Sequence, residues 1–393
     1  MIYADNAATT KLSRTALEAM MPYLQGEYGN PSSLHSAGQR AKEALNAARE
    51  KIAALLGCQL QELTFTSGGS EADNQALLTG AALGARKGKK HIVSTAFEHH
   101  AVLHTLDKLA REGYEVTLVP VSAEGIVLPE AIEAAIRPDT CLVSVMYANN
   151  EIGTIQPIAE IGKICKEHGV LFHTDAVQAV GHVRVSLENV DMLSLSAHKF
   201  HGPKGAGALY ARRGIKLTNV IEGGAQERGR RAGTENVAAI VGMAAALEEA
   251  YAQLDERARK MSTLRDRIIE GLGEIPHGIL NGDREKRLPG SVSFCFEGIE
   301  GESLLLYLDD LGICASSGSA CTSGSLDPSH VLLALGRPHE IAHGSLRLTL
   351  SHETTEAEAD EIVKGVKSVV EKLRNMSPVW RELQNGTRTY FLR

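Results

Sequence analysis

Short apolar runs alternate along this chain with longer stretches whose apolar positions recur at helical spacing. Leu63 to Thr66, His91 to Thr95, Tyr114 to Val119, Cys141 to Met146 and Val170 to Thr174 read as strands. So does the run Met192, Leu193 and Leu195, with Ser194 and Ser196 between. From His35, the positions Ala37, Ala41, Ala44, Leu45, Ala48, Ile52, Leu55 and Leu56 keep a helical period that Gly57 ends. Further helices are predicted from SGGSEADN onward, from about His100 to Leu109, from Pro129, and over Pro157 to His168. Strands that alternate with helices in this way build βαβ units and a mostly parallel sheet, so the fold class is α/β.

The pattern changes after a long Ala/Glu/Arg-rich segment, Asn236 to about Leu272, which reads as one or two helices between domains. Strands over Ser291–Phe296, Ile313–Ala315 and Ser345–Leu350, with helices over Glu302–Leu311 and from Thr355 to about Arg374, predict a smaller α+β domain. We therefore expect a large domain over 15–255 and a small one made of 1–14 and 256–393. The first fourteen residues read as an extended arm with DNAATT at its turn, where Asp5 and Asn6 either cap local backbone or reach a ligand. The tail SPVWRELQNGTRTYFLR is either docked or free.

Composition narrows the function. With 393 residues the chain can bury a sizeable core, and a net charge of −7 argues against a nucleic-acid binder built on phosphate contacts. No apolar run approaches the ~20 residues of a membrane helix, and the N-terminus has no secretory pattern. The six cysteines are scattered and none forms a CxxC pair, so a zinc site is not expected and a reducing cytoplasm is.

Candidate chemistry gathers where strands end. Ser67–Ser70, His99, Asn149–Asn150, Asp175 and Lys199 each follow a strand, which is where parallel sheets bind ligands. Lys199, in SLSAHKFHGPKGAG, is either a solvated loop lysine or an amine made neutral for Schiff-base chemistry. SGGSE either caps a helix or binds an anion at its N-terminus, and it matches neither a P-loop nor GxGxxG. Asp175 needs a cationic partner, such as a pyridinium nitrogen, with Gln178 three residues on within reach of a phenolate oxygen. His99 reads as a stacking face, an acid/base or a surface residue. Arg347 sits inside the alternating SLRLTL strand, so it is either a carboxylate clamp or half of an ion pair. Cys321 lies in SSGSACTSGSLDPS, a Ser/Gly loop with little to pack against, and reads as a reactive thiol.

Together these stretches resemble the cysteine desulfurases of the NifS/IscS type, group I, within the class V aminotransferases. The resemblance runs through YADNAATT, YGNPSSLH, FTSGGSEADN, EHHAV, NNEIGTIQPI, HTDAVQAVG, SAHKFHGPKGAG, GGAQERGRRAGTEN and SSGSACTSGSLDPSHVLLALG. It implies a fold-type I enzyme dependent on pyridoxal 5'-phosphate, with a seven-stranded sheet in its large domain. Lys199 would carry the cofactor, His99 stack on it, Asp175 face its ring nitrogen and Gln178 its 3'-oxygen. Gly69, Ser70, Ser196 and His198 would hold the phosphate, with Thr234 reaching in from the other subunit of a homodimer. Asn150 would touch both cofactor and substrate, and Arg347 would grip the carboxylate of L-cysteine. Cys321 would take the sulfur as a persulfide and hand it to an iron–sulfur scaffold or another acceptor; no metal is expected beyond a transient cluster contact there. The same resemblance leaves open a selenocysteine lyase, another class V aminotransferase and, more remotely, a non-catalytic assembly platform. Gly69-Ser70 stands where the family commonly has Ala-Thr, and the tail keeps SPVW before departing from the usual ending.

Overall fold

The computed structural model describes residues 1–318 and 327–392. Seven strands form the main sheet: β2 (Leu63–Thr66), β3 (His91–Thr95), β4 (Glu115–Val119), β5 (Thr140–Ser144), β6 (Leu171–Asp175), β7 (Met192–Ser196) and β8 (Gly207–Ala211), after a short β1 (Ile2–Tyr3). Their order is β2-β8-β7-β6-β5-β3-β4, with β8 antiparallel to both neighbours and the remaining pairs parallel. Strands β3, β5, β7 and β8 are buried along their whole length, because helices cover both faces. Helices Gly69–Ala85 and His100–Arg111 contribute Ala72, Leu77, Val102 and Leu106 to one layer, against Ile92 and Leu142 of the sheet. Helices Ser36–Leu56, Ile158–Glu167 and Val237–Ala252 supply Ile52, Ile161 and Leu247 on the other.

A second core surrounds a three-stranded antiparallel sheet of β9 (Gly278–Leu280), β10 (Ser291–Phe296) and β12 (Ser345–Thr349), in the order β12-β10-β9. Helices Leu254–Gly273, Gly301–Asp310 and Glu356–Met376 cover it with Ile268, Leu304 and Val366. The N-terminal arm joins this unit: β1 pairs with β11 (Ile313–Cys314), and Ala4 lies in the second core. No single helix among the described residues is long and apolar enough to cross a membrane.

Three segments go beyond the sequence reading. Gly207 opens β8, a strand of the main sheet that the apolar pattern did not predict. A Cβ there would lie 2.7 Å from Gly68 Cα, so the glycine serves the close approach of β8 to the β2 loop. Helix Arg14–Gln25 follows the arm; it turns Ala16, Ala19, Met20 and Tyr23 inward but also exposes Leu17, Met21 and Leu24, so apolar residues on both faces blur the stripe. The tail is docked. After helix Pro378–Gln384, the amides of Phe391 and Leu392 donate to the Glu297 carboxylate at 2.8 and 3.0 Å, and Tyr390 stacks on His277.

Candidate functional site

Six of the seven strands point the same way, so their carboxyl ends share one edge of the main sheet. The polar residues that follow them line a single cavity of about 180 Å³. After β2 the chain enters helix Gly69–Ala85, whose first residue packs closely just past the end of β6: a Cβ on Gly69 would come within 2.6 Å of Val177 Cγ2. Gly69 and Ser70 thus present a helix N-terminus to the cavity, with Ser196 and His198 also on its wall.

His99 lies on the same wall as N-cap of helix His100–Arg111, its Nδ1 accepting from Ala101 N–H at 3.1 Å. Burial, then the charge of Lys199, pushes its pKa down to about 4, so the ring is neutral near pH 7. His198 is likewise lowered to about 4 by burial and by Lys199, with its Nδ1 3.1 Å from Thr9 Oγ1.

Asp175 ends β6 and accepts the Val177 amide on Oδ1 at 2.9 Å. Burial raises its pKa to about 6, while the Val177 N–H and the Lys199 charge pull the other way. A cation brought against it would restore the full carboxylate. Two more buried carboxyls stand nearby. Asp73 lines the cavity with Oδ1 lacking any hydrogen bond among the described residues, and burial, then Asp175, raises its pKa well above the usual range. Glu98 accepts from Thr95 Oγ1 and Met146 N–H, and burial pushes it up to about 8. His173, between Ser144 Oγ and Ser194 Oγ, is held neutral by burial, near 3.

The remaining wall is the N-terminal arm. Lys199 Nζ donates to the carbonyls of Ala7 at 2.5 Å and Ala8 at 2.9 Å, and Gln178 Nε2 donates to Ala7 at 3.0 Å. Arg347 extends from β12 of the smaller sheet and is buried. Its Nη2 donates to Asp5 Oδ1 at 2.8 Å and its Nη1 to the carbonyl of Asn150 at 3.3 Å.

Lys199, His99, Asp175, Gln178, Gly69, Ser70, Ser196, His198, Asn150 and Arg347 therefore meet around one cavity. Thr234 does not: it lines a neighbouring hollow with Ser67, Gly205 and Arg231. Cys321 lies outside the described residues. The other five cysteines are poor thiolates where a shift is resolved, since burial raises Cys58 and Cys165 to about 12 and Cys141 and Cys295 to about 11.

Sequence reasoning missed the arm carbonyls, Asp73, Glu98 and Glu151. Glu151 is buried beside Asn150 and accepts from Ser329 Oγ, the cap of helix His330–Ala334. Carbonyls leave no sequence signal. The Asp5–Arg347 pair had one, because a charge inside a strand requires a counter-ion, but 342 positions separate the two residues.

The comparisons with known proteins agree with this geometry. The family model for class-V aminotransferases matches residues 2–362. The cysteine desulfurase IscS of Methanosarcina thermophila is 54% identical over 380 residues, covering 96% of this chain and 94% of the relative. An IscS of Clostridium botulinum is 52% identical, with 97% of each chain covered. Among solved structures, a NifS-like protein superposes with a TM-score of 0.89 at 40% identity, covering 95% of this chain and all of the other. A structure titled SspA in complex with cysteine gives 0.79 at 35% identity, covering 90% of this chain and 100% of its own. A strand-edge cavity that holds a lysine amine over a buried aspartate, on a chain so close to these relatives from end to end, makes this protein a member of the class-V aminotransferase family, of the NifS/IscS type.

Proposed function

We propose that this chain is a pyridoxal phosphate-dependent cysteine desulfurase, which converts L-cysteine to L-alanine and retains the sulfur as a persulfide on Cys321. The cofactor comes with the family, and the donor set fits it. The cavity wall offers a helix N-terminus and hydroxyls for a phosphate dianion, a buried carboxylate for a protonated ring nitrogen, and a lysine amine. When bound, pyridoxal phosphate supplies an electron sink for the pair left at the substrate Cα.

The residues of the chain do the rest. Gly69, Ser70, Ser196 and His198 hold the phosphate, and Thr234 serves the site of a second copy, which its place outside its own cavity supports. Asp175 faces the ring nitrogen. The neutral ring of His99 stacks above. Gln178 has a second amide proton for the 3'-oxygen beyond the one given to Ala7. Lys199 carries the cofactor and, once released, takes the Cα proton on Nζ, which the Ala7 and Ala8 carbonyls orient. Asn150 and Arg347 fix the substrate, Arg347 through its carboxylate. Cys321, as thiolate, forms an S–S bond to the substrate sulfur while the Cβ–Sγ bond breaks; that electron pair stays with carbon, which is protonated and leaves as alanine.

We assign residues 15–255 to the cofactor-binding unit and 1–14 with 256–393 to the smaller unit; the second core supports this division, while Val331, Leu332, Ile341 and Ala342 of the smaller unit pack into the first. A homodimer follows from the role given to Thr234. The persulfide is delivered to a sulfur acceptor, an iron–sulfur scaffold or a thiolation protein, in the cytoplasm, where a reactive thiol is kept from disulfides.

The observation that carries this reading is the convergence of Lys199, His99, Asp175 and Arg347 on one cavity. The test is a paired assay of alanine and sulfide from L-cysteine, with and without a keto acid, and with selenocysteine in parallel. Equal alanine and sulfide without a keto acid supports a desulfurase. Turnover that requires a keto acid identifies an aminotransferase, and turnover confined to selenocysteine identifies a lyase.

A further inference from the structure

We infer that Asp5 is an internal carboxylate that Arg347 shares with the substrate carboxylate, a positioning residue that orients the guanidinium and disfavours carboxylates lacking an amine. The inference rests on the proposed role of Arg347 as the substrate clamp. A buried guanidinium must be paired, and Arg347, with its side chain 2% exposed, is paired with Asp5. Asp5 takes only Nη2, and Nη1 reaches the Asn150 carbonyl at 3.3 Å. Nε is buried without a hydrogen-bond partner among the described residues, and Arg347 lines the cavity, so Asp5 leaves part of the guanidinium's donor set unspent.

Asp5 cannot drift from this place, because its backbone is stitched to the strand that carries Arg347. Thr349 N–H donates to the Ala4 carbonyl at 2.7 Å, Asn6 Nδ2 to the Thr349 carbonyl at 2.8 Å, and Ala7 N–H to Thr349 Oγ1 at 2.8 Å. Arg347 and Thr349, two apart on β12, face the same side. An incoming carboxylate therefore meets a guanidinium already half neutralised, with the Asp5 charge beside it. A bare acid gains little there. An amino acid also bonds through its amine and can bear the repulsion, so the pair selects for α-amino acids while holding the clamp in one orientation.

The test uses cofactor-loaded enzyme and two readouts: the Kd of 3-mercaptopropionate, which is cysteine without its amine, by calorimetry, and kcat and KM for L-cysteine. In Asp5→Asn, 3-mercaptopropionate is expected to bind about 10-fold tighter, because its competitor is gone, while kcat falls about 10- to 100-fold as the clamp loses its orientation. Asp5→Glu restores the charge and with it the weak binding. A purely structural role would weaken binding and turnover together, and that result overturns the inference, as does unchanged 3-mercaptopropionate affinity. Arg347→Gln separates the two readings. If it leaves 3-mercaptopropionate binding intact, the clamp assignment fails and this inference with it; if it abolishes binding while Asp5→Asn changes nothing, the inference alone fails. Should Asp5→Asn not fold, Asp5→Ser carries the test, and a 3-mercaptopropionate Kd within about twofold of the parent overturns the inference.

Discussion

Replacing Glu227 by glutamine tests how the loop that bears Thr234 is held. Residues Glu227 and Arg228 sit at φ +47° and +57°, backbone that costs non-glycine residues roughly 1–3 kcal/mol each unless the surroundings fix it. What fixes it is a buried pair: Arg49 Nη1 and Nη2 donate to the Glu227 carboxylate at 2.9 and 2.5 Å, and Phe65 N–H adds a third bond at 2.8 Å. The side chains are 9% and 2% exposed, so solvent cannot replace either partner. Glu227→Gln keeps the shape and an acceptor for Phe65 but leaves Arg49 a buried, uncompensated cation, which costs about 3–5 kcal/mol. At a urea slope of about 3 kcal/mol/M, the unfolding midpoint falls by roughly 1 M or more. Urea denaturation of the single variants and of Glu227→Gln with Arg49→Met closes a double-mutant cycle. The double variant should be less unstable than the two losses added, by more than about 0.5 kcal/mol. Cofactor retention should weaken in parallel, because the same loop leads to Thr234. A midpoint unchanged in Glu227→Gln, or strict additivity in the cycle, refutes the reasoning.

Three further outcomes are expected. Burial pushes the Glu98 pKa up to about 8 from an ordinary 4.5, against the hydrogen bonds from Met146 and Thr95. Within that window the folded chain keeps a proton the unfolded chain has released, so stability falls as pH rises from the lower value through the upper. Glu98→Gln should flatten that decline and exceed the parent in urea midpoint above about pH 8; a variant with the parent's slope removes Glu98 as its source. Lys199→Ala should lose the borohydride-trapped lysine adduct of the cofactor, and trapping at another lysine, seen by peptide mass mapping, sinks the assignment. Cys321→Ala should keep the cofactor and the absorbance change on adding cysteine yet release no sulfide under reducing conditions; full sulfide production takes Cys321 out of the mechanism.

The main sheet was legible because helices on both faces make its strands continuous apolar runs, and the polar residues that end those runs stood out against them. Lys199, Asp175 and His99 stood out as candidates for that reason, and the family resemblance gave each its expected role. What stayed hidden was whatever depends on a distant partner. Asp73 and Glu98 look like solvated charges in sequence, and only the closing of helix Gly69–Ala85 and of the loop after β3 over the sheet buries them. The tail was unreadable because its anchor, the carboxylate of Glu297, lies 94 residues from Phe391. Helix Arg14–Gln25 was missed because Leu17, Met21 and Leu24 face outward opposite Ala16, Ala19, Met20 and Tyr23, which weakens the contrast between its two faces.

The arm that read as extended, with DNAATT at its turn, is also where the two cores meet around the cavity. Four successive residues serve both: Asp5 holds Arg347 and Asn6 holds Thr349 of the smaller sheet, while the Ala7 and Ala8 carbonyls take Lys199, and Ala7 also takes Gln178, from the larger one. The contacts to the larger unit run through backbone carbonyls, so changes at Ala7 and Ala8 act through chain path rather than side-chain chemistry. The spacing itself is the constraint. Residues 5–8 form a turn closed by Ala8 N–H donating to the Asp5 carbonyl at 3.0 Å, so one residue inserted between Asp5 and Ala7 would break that turn and move either the carboxylate from Arg347 or the carbonyls from Lys199. The distance between Arg347 and the lysine amine is thereby set by three peptide units of this arm, even though the two residues belong to different sheets.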